Sequence, residues 1–223
     1  MHRLLQMRPV TVFWDVGANI GFYSWLVRSQ QASSDLILFE PDTLNASLVR
    51  QTVAANNLKG VTLVEAAVSN QEGPQQFVRD RVSGATGRLQ EVDSANNAMT
   101  IQGSYAKQNN EVVQVECCTL DGMVAAGFKV PDLMKVDVEN AELLVVGGGE
   151  QLFSKNQTLV LIEICDPRVF AFFERHGYDV WVIEEASLNY FAAPGGLLTG
   201  SALMKPYRKM EPTAADRRVG ALI

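Results

Sequence analysis

The chain alternates short apolar runs with longer stretches of mixed polarity. The apolar runs have the length of β-strands and lack a polar face, which is typical of parallel strands covered by helices on both sides. They predict strands at residues 10–16, 35–40, 61–68, 132–139 and 158–164. This repeated order of strand and helix predicts a doubly wound α/β fold built on a mostly parallel sheet.

The stretches between the strands carry helical periodicity and end signals. In the second predicted helix, Leu44, Leu48 and Val49 share one face, which we expect to be buried. The pattern predicts helices at residues 21–30, 43–57 and 140–148, and a helix, a glycine cap and a strand across residues 169–184.

The length of 223 residues is that of one domain, and we expect residues 1–223 to form it. One region breaks the pattern, because residues 79–110 are polar and rich in Gly, Ser and Asn. A loop this long is either a substrate-side lid or a structureless excursion, and the sequence leaves both open. The tail at residues 205–223 has no clear pattern, so its structure stays open as well.

Charge and hydropathy narrow the class of partner. The net charge is −6, and the nearest basic segment, residues 205–210 with Arg217 and Arg218, is short. A nucleic-acid binder usually shows a denser basic patch. No apolar run approaches the ~20 residues of a membrane span, and the first ten residues are too polar for a secretory signal. We expect a cytoplasmic protein without nucleic-acid or membrane partners; the oligomeric state is left open.

The three cysteines do not indicate a metal or disulfide framework. Cys117 and Cys118 are adjacent, and Cys165 follows another apolar run. No C-x-x-C spacing exists, so neither a zinc site nor a disulfide pattern is implied. We expect all three to be small buried hydrophobic residues in a reducing compartment.

The first predicted strand runs into the segment FWDVGANIGFYS, residues 13–24, which carries the first chemical signal. Glycine loses much backbone freedom on folding, so Gly17 and Gly21 imply a tight turn or a close approach of a ligand. Ligands of open parallel sheets lie beyond the carboxyl ends of the strands, and a helix N-terminus there offers free N–H groups. The turn therefore predicts a nucleotide-like cofactor.

The second signal is Glu40, nineteen residues after Gly21 and at the end of the second strand. An acidic residue at this place can accept the ribose hydroxyls of an adenosine, in NAD and in S-adenosylmethionine alike. The turn lacks the G-x-G-x-x-G pyrophosphate fingerprint. Asp15 would favour a cationic methionine group and oppose a pyrophosphate, and the chain has no room for a separate catalytic domain. S-adenosyl-L-methionine is therefore the favoured cofactor.

Seven stretches in order make the sequence resemble the FkbM-type methyltransferase family. They are DVGANIGFYS, FEPD, ASLVRQTVAANNL, VEAAVS, CTLDGMV, LMKVDVENAELLVVGGGEQL and LIEI, and they span roughly residues 11–185. The resemblance implies a class I methyltransferase fold: a Rossmann-like, seven-stranded, mostly parallel sheet with one antiparallel strand. It also implies O-methylation of a hydroxyl on a small molecule, sugar or glycan.

The resemblance also implies site residues. Asp15 and the turn Gly17, Ala18, Asn19 and Gly21 would line the cofactor. Glu40 would hold the ribose, and Glu65 and Ala66 would border the adenine. One departure is Asn140, because the family commonly has glycine at this position.

Methyl transfer to an alcohol needs a positioned oxygen and a route for its proton. Asp137, Glu139 and Glu163 follow the fourth and fifth strands and are the catalytic candidates, with Lys135 below the first two. They act as a base or hold a divalent cation; alternatively, Asp137 caps the next helix and Glu139 is solvated. Because hard cations need several oxygen ligands, no metal is predicted.

Several alternatives stay open at this stage. An NAD-dependent oxidoreductase and a non-catalytic cofactor-binding module both fit parts of the pattern. His176 precedes a glycine cap and is better explained by the helix dipole than by catalysis. Phe22 and Tyr23 are expected in the core.

Overall fold

The computed structural model describes residues 1–81, 86–91, 110–183, 188–200 and 208–211, with the backbone alone for Met7 and Asn110. The helices in this part of the chain are α1 His2–Met7, α2 Phe22–Gln30, α3 Thr43–Ala55, α4 Leu120–Ala125, α5 Glu142–Gly147, α6 Glu150–Ser154 and α7 Arg168–Arg175. None of these helices is long and apolar enough to cross a membrane.

Eight strands form the main sheet, in the order β12-β10-β11-β9-β8-β1-β2-β3. Their bounds are β1 Val12–Val16, β2 Asp35–Phe39, β3 Val61–Val64, β8 Leu133–Val136, β9 Leu159–Glu163, β10 Tyr178–Val182, β11 Asn189–Pro194 and β12 Arg208–Lys209. Strands β3, β2, β1, β8 and β9 are mutually parallel, whereas β11 and β12 pair antiparallel with their neighbours. The predicted doubly wound, mostly parallel class is confirmed, but the main sheet has eight strands in the described residues where seven were expected. The eighth is the two-residue β12 at one edge.

Both faces of the main sheet are buried, as the uniformly apolar strands predict. Phe13 packs in one core cluster with Val27 of α2 and Val49 of α3. Trp14, the next residue along β1, packs in the other cluster with Phe153 and Phe172. Successive residues of a strand point to opposite faces, so β1 contributes to both clusters.

A second sheet of four strands has the order β4-β7-β5-β6. Its strands are β4 Ala67–Val68, β5 Gly73–Asp80, β6 Arg88–Leu89 and β7 Asn110–Cys118. The strand predicted at 61–68 is therefore divided: β3 stays in the main sheet, and the chain crosses to the second sheet after Glu65 and Ala66. The predicted polar region 79–110 contains β6, while residues 82–85 and 92–109 lie outside the described part.

The pattern misplaced several side chains. Leu44 and Leu48 are 63% and 48% exposed, while the small residue Ala46 is buried beside Val49. Phe22 is 66% exposed rather than part of the core. Cys165 is exposed as well, whereas Cys117 is buried.

Candidate active site

A cavity of about 450 Å³ opens at the carboxyl ends of β1, β2 and β8. The strand order reverses between β1 and β8, and ligands of open α/β sheets bind at such a switch point. Strands β5 and β6 of the second sheet supply the opposite wall. The lining residues are Gly17, Ala18, Asn19, Ile20, Phe22, Tyr23, Phe39, Glu40, Pro41, Asp42, Asn45, Ala67, Val68, Phe77, Gly87, Arg88, Leu89, Lys135, Asp137, Val138, Glu139 and Ala141.

The glycine turn forms one side of this cavity. Gly17 has φ of 72°, and a Cβ there would collide with the carbonyl oxygen of Asp137. The amides of Gly17 and Ala18 both donate to the carbonyl of Phe39, at 3.1 and 3.0 Å. Gly21, with φ of 86°, is the N-cap of α2, and a Cβ there would lie 2.6 Å from the Trp25 ring. Bare backbone is therefore required at both glycines by close neighbours as well as by the turn.

Glu40 lies at the end of β2 with its carboxylate in the cavity wall. The amide of Asn19 donates to Oε2 at 2.7 Å, and the amide of Asp42 donates to Oε1 at 2.9 Å. Burial nevertheless raises the pKa of Glu40 to about 7, since desolvation outweighs these hydrogen bonds. Each oxygen has two lone pairs, and the Asn45 side chain also hydrogen-bonds this carboxylate, so part of its capacity remains for a ligand hydroxyl.

Asp15 is fully buried below the turn and is not part of the cavity wall. Its Oδ2 accepts from the amide and the hydroxyl of Ser24, at 3.0 and 2.7 Å, which ties β1 to the first turn of α2. Its Oδ1 is buried without a hydrogen-bond partner. Desolvation raises the pKa of Asp15. Asp15 can therefore act on a ligand only through its charge or by holding the glycine turn in place.

Glu65 and Ala66 also lie outside the cavity wall. The Glu65 carboxylate pairs with Arg50 of α3 at the protein surface. The wall near this strand end is formed instead by Ala67 and Val68 of β4. The predicted contact of Glu65 and Ala66 with an adenine ring stays a prediction.

Lys135 and Asp137 form an ion pair at the end of β8, with Nζ 2.8 Å from Oδ2. The Lys135 side chain is only 9% exposed, and its ammonium lies 4.9 Å from the ring centroid of Tyr23. Lys135 also faces Asp15, because the two residues are register partners on β8 and β1. A buried lysine is rarely found without such partners.

The strand predicted through residue 139 ends at Val136, and the chain then turns. Glu139 and Asn140 have φ of 50° and 73°, which are left-handed conformations. Glu139 reaches the cavity, and desolvation raises the pKa of its carboxyl. Asparagine tolerates the left-handed region better than most residues, which accounts for Asn140 where glycine is common.

Glu163 and Glu142 complete the acidic group behind Asp137. Burial, followed by the charge of Asp137 and a hydrogen bond with it, raises the pKa of Glu163. Glu142 is fully buried in the first turn of α5, and its Oε1 accepts from the amide of Asn140 at 3.1 Å. Its Oε2 has no hydrogen-bond partner among the described residues, and desolvation raises the pKa of Glu142 to about 7. Within the described ranges, no group of His, Cys, Asp and Glu could hold a metal.

Sequence reasoning missed part of the cavity wall. Asp42 caps α3 by accepting from the Leu44 amide at 2.7 Å, and Arg79 of β5 binds its other oxygen at 2.7 Å. The capping signal of Asp42 before a helix was readable. Phe77 and Arg88 gave no local signal, because their place in the wall depends on how the second sheet docks. His176 closes α7 as expected and pairs with Glu150, at 2.9 Å.

Comparison with known proteins decides the family. The sequence profile of the methyltransferase FkbM domain matches residues 15–184, from Asp15 to the segment after β10. The chain belongs to the FkbM methyltransferase family. The matched range contains both glycines of the turn, Glu40 and the carboxylates after β8, so the resemblance seen in the sequence is confirmed.

Named relatives of this FkbM-family chain are distant. The 2-O-methyltransferase NoeI of Sinorhizobium fredii is 25% identical over 175 residues, which cover 73% of this chain and 67% of the relative. The 31-O-demethyl-FK506 methyltransferase FkbM of Streptomyces tacrolimicus is 23% identical over 197 residues, which cover 79% of this chain and 75% of the relative. A solved methyltransferase FkbM from Methylobacillus flagellatus has a TM-score of 0.51 at 12% identity, over 82% of this chain and 43% of that one. The chain thus spans less than half of that protein, and this last likeness shows the fold.

Proposed function

We propose that this FkbM-family protein is an S-adenosylmethionine-dependent O-methyltransferase acting on a hydroxyl of a small molecule, sugar or glycan. One observation carries the proposal: the glycine turn, Glu40 and the carboxylates after β8 line the same cavity. Family membership supports methyl transfer. The relatives named as a 2-O-methyltransferase and as a 31-O-demethyl-FK506 methyltransferase support oxygen as the accepting atom.

The residues present fit the cofactor. Gly17, Ala18 and Asn19 of the turn line the cavity, which places the turn against the space that a ligand would occupy. Glu40 lines the cavity, and its carboxylate keeps part of its capacity to accept a ribose hydroxyl. A volume of about 450 Å³ lies within the range of pockets that hold cofactor-sized ligands.

The charge of the wall favours a cation over a pyrophosphate. Four acidic side chains line the cavity against two basic ones: Glu40, Asp42, Asp137 and Glu139 against Arg88 and Lys135. An excess of carboxylates attracts a sulfonium and repels a dinucleotide phosphate. This balance supports S-adenosylmethionine over the NAD alternative.

When bound, S-adenosylmethionine supplies a methyl group that leaves sulfur, with the carbon–sulfur electron pair staying on sulfur, as the acceptor oxygen bonds the carbon. The protein must place the acceptor oxygen in line with that bond, which is mainly a matter of position. It must also accept the hydroxyl proton. Asp137, Glu139 and Glu163, at the ends of β8 and β9, are the groups we propose for this work.

The direct experiment is calorimetric titration with S-adenosylhomocysteine, paired with mass-spectrometric detection of methyl transfer to a pool of methyl glycosides. We expect micromolar binding, at least tenfold weaker binding by Glu40→Gln, and unchanged binding by Glu116→Gln. Glu116 is a matched control because it is exposed on β7 and outside the cavity wall. Absence of heat with the folded wild type would refute the cofactor, and binding without any transfer would favour a non-catalytic module.

A further inference from the structure

The carboxylates after β8 and β9 differ in the ion pairs and hydrogen bonds that they already make. Asp137 accepts from the buried Lys135 ammonium at 2.8 Å. That ammonium is in turn fixed by the Tyr23 ring and by the register pairing of Lys135 with Asp15. A carboxylate bound to a buried cation has one oxygen already occupied, so it is less available to an acceptor hydroxyl.

Glu163 is held to Asp137 by a hydrogen bond between the two carboxyl groups. Such a bond needs one proton, because two ionised carboxylates have no donor between them. Glu163 does not line the cavity, whereas Asp137 and Glu139 do. Glu163 is therefore bound to Asp137 and set back from the place of an acceptor hydroxyl.

Glu139 differs from both. Its carboxylate lines the cavity, and the structure gives it no hydrogen bond or ion pair to another described residue. It is carried by two consecutive non-glycine residues in the left-handed conformation, at φ of 50° and 73°. Asparagine tolerates this conformation, so the strain lies mainly at Glu139, where it costs about 1–3 kcal/mol; such strain concentrates at functional sites.

We propose that Glu139 accepts the proton of the acceptor hydroxyl, while Lys135 and Glu163 are positioning residues that hold Asp137 in place. The inference rests on the proposed function and assigns the roles within it. The proton passes from the acceptor oxygen to a Glu139 carboxylate oxygen as the oxygen–carbon bond forms. It then leaves to solvent through the open mouth of the cavity, so the step balances without a further reactant.

The charges around Glu139 come from three elements. Desolvation and the charge of Asp137 raise its pKa, while Arg88 of β6 and Lys135 of β8 lower it. The charge of Glu139 in turn contributes to raising the pKa of Glu163 and of Cys165, at the end of β9. The net rise increases the basicity of Glu139, as a general base requires.

The kinetic test measures single-turnover methyl transfer against pH, with S-adenosylmethionine saturating at every pH so that titration of Glu40 does not enter, and with whichever methyl glycoside of the pool is methylated. We expect Glu139→Gln to lower the rate at least about 100-fold, the usual worth of a general base, and to abolish the acidic limb of the profile. Glu139→Asp should restore part of the rate. Asp137→Asn should lower the rate but keep the acidic limb. A Glu139→Gln enzyme that retains this limb would overturn the inference while leaving the methyltransferase assignment intact.

A second measurement needs no acceptor. Glutamate ¹³Cδ resonances are followed against pH in the complex with S-adenosylhomocysteine, and the Glu139 signal is the one lost in Glu139→Gln. We expect its midpoint above the value of about 4.3 for short reference peptides. A midpoint at or below that value would overturn the assignment even where no acceptor is turned over, whereas failure of S-adenosylhomocysteine to bind would count against the proposed function itself.

Discussion

At the scale of single residues, the backbone after β8 explains a departure from the family pattern. Asn140 has φ of 73°, a conformation that glycine adopts freely and asparagine tolerates. Its amide also donates to Glu142 at 3.1 Å, so the turn is closed by the first residue of α5. The position therefore selects for backbone conformation, and Asn satisfies it at a modest cost.

This account predicts opposite outcomes for two substitutions of Asn140. Asn140→Gly should change the free energy of unfolding by less than about 1 kcal/mol, whereas Asn140→Val should lower it by about 1–3 kcal/mol. Urea denaturation at pH 7 measures both. Equal effects of Gly and Val would show that the left-handed conformation is not what the position requires.

Gly17 offers a second prediction at this scale, with Gly73 as its control. Both have positive φ, 72° and 96°, but a Cβ on Gly73 meets nothing within 4 Å while one on Gly17 meets the Asp137 carbonyl. Gly17→Ala should therefore cost about 1–3 kcal/mol more than Gly73→Ala, the usual cost of overpacking. Similar losses in the two variants, measured by urea denaturation, would contradict the close approach of β1 and β8.

At the scale of elements, the sequence predicts the order and type of the main strands and helices but not where each one ends. The apolar run 132–139 continues past β8, although the strand stops at Val136. No local pattern marks this end, which lies where the Gly17 turn packs closely against the backbone of Asp137. The buried face of α3 was misjudged for a related reason: small residues such as Ala46 face the sheet, which leaves Leu44 exposed.

Helix α5 carries a buried acid, Glu142, that should make stability depend on pH. Its pKa is raised from 4.5 to about 7 in the folded protein, so the folded state holds a proton that the unfolded state has released. This contribution is fully present below pH 4.5 and is lost as pH rises through about 7. Glutamine carries no charge at any pH. Glu142→Gln should therefore prevent a loss of up to about 3 kcal/mol in the free energy of unfolding above pH 7.

The measurement for Glu142 is thermal unfolding of wild type and Glu142→Gln at pH 5 and pH 8. Relative to wild type, the variant should have a higher unfolding temperature at pH 8 than it has at pH 5. Glu116→Gln, which changes an exposed glutamate on β7, serves as the control and should show no such shift. A pH-independent difference for Glu142→Gln would contradict burial of its charge.

At the scale of the whole molecule, the cavity exists because two sheets meet. Arg79 of β5 reaches across to Asp42 at 2.7 Å and to Thr43 at 3.1 Å, where α3 begins. The glycine turn, Glu40 and the acids after β8 were foreseeable, since they follow the carboxyl ends of parallel strands. Phe77 and Arg88 were not, because the docking of β5 and β6 against the main sheet leaves no periodic signal in the sequence.

The affinity of the cavity for its ligand should depend on pH through Glu40. The pKa of Glu40 is about 7, and its ionised form is the better acceptor for ribose hydroxyls. The affinity for S-adenosylhomocysteine should therefore fall as pH drops from 8 to 6, by up to about tenfold per pH unit below the pKa. Calorimetry should show this dependence in the wild type and a flatter one in Glu40→Gln. A wild-type affinity that does not vary would contradict a direct role for this carboxylate.

The most direct measurement is a crystal structure of the protein with S-adenosylhomocysteine. The account predicts electron density in the cavity, with the ribose hydroxyls on Glu40, the backbone of Gly17–Asn19 against the ligand, and the sulfur facing Asp137 and Glu139. Ligand bound at another surface, or in this cavity with the ribose away from Glu40, would contradict it.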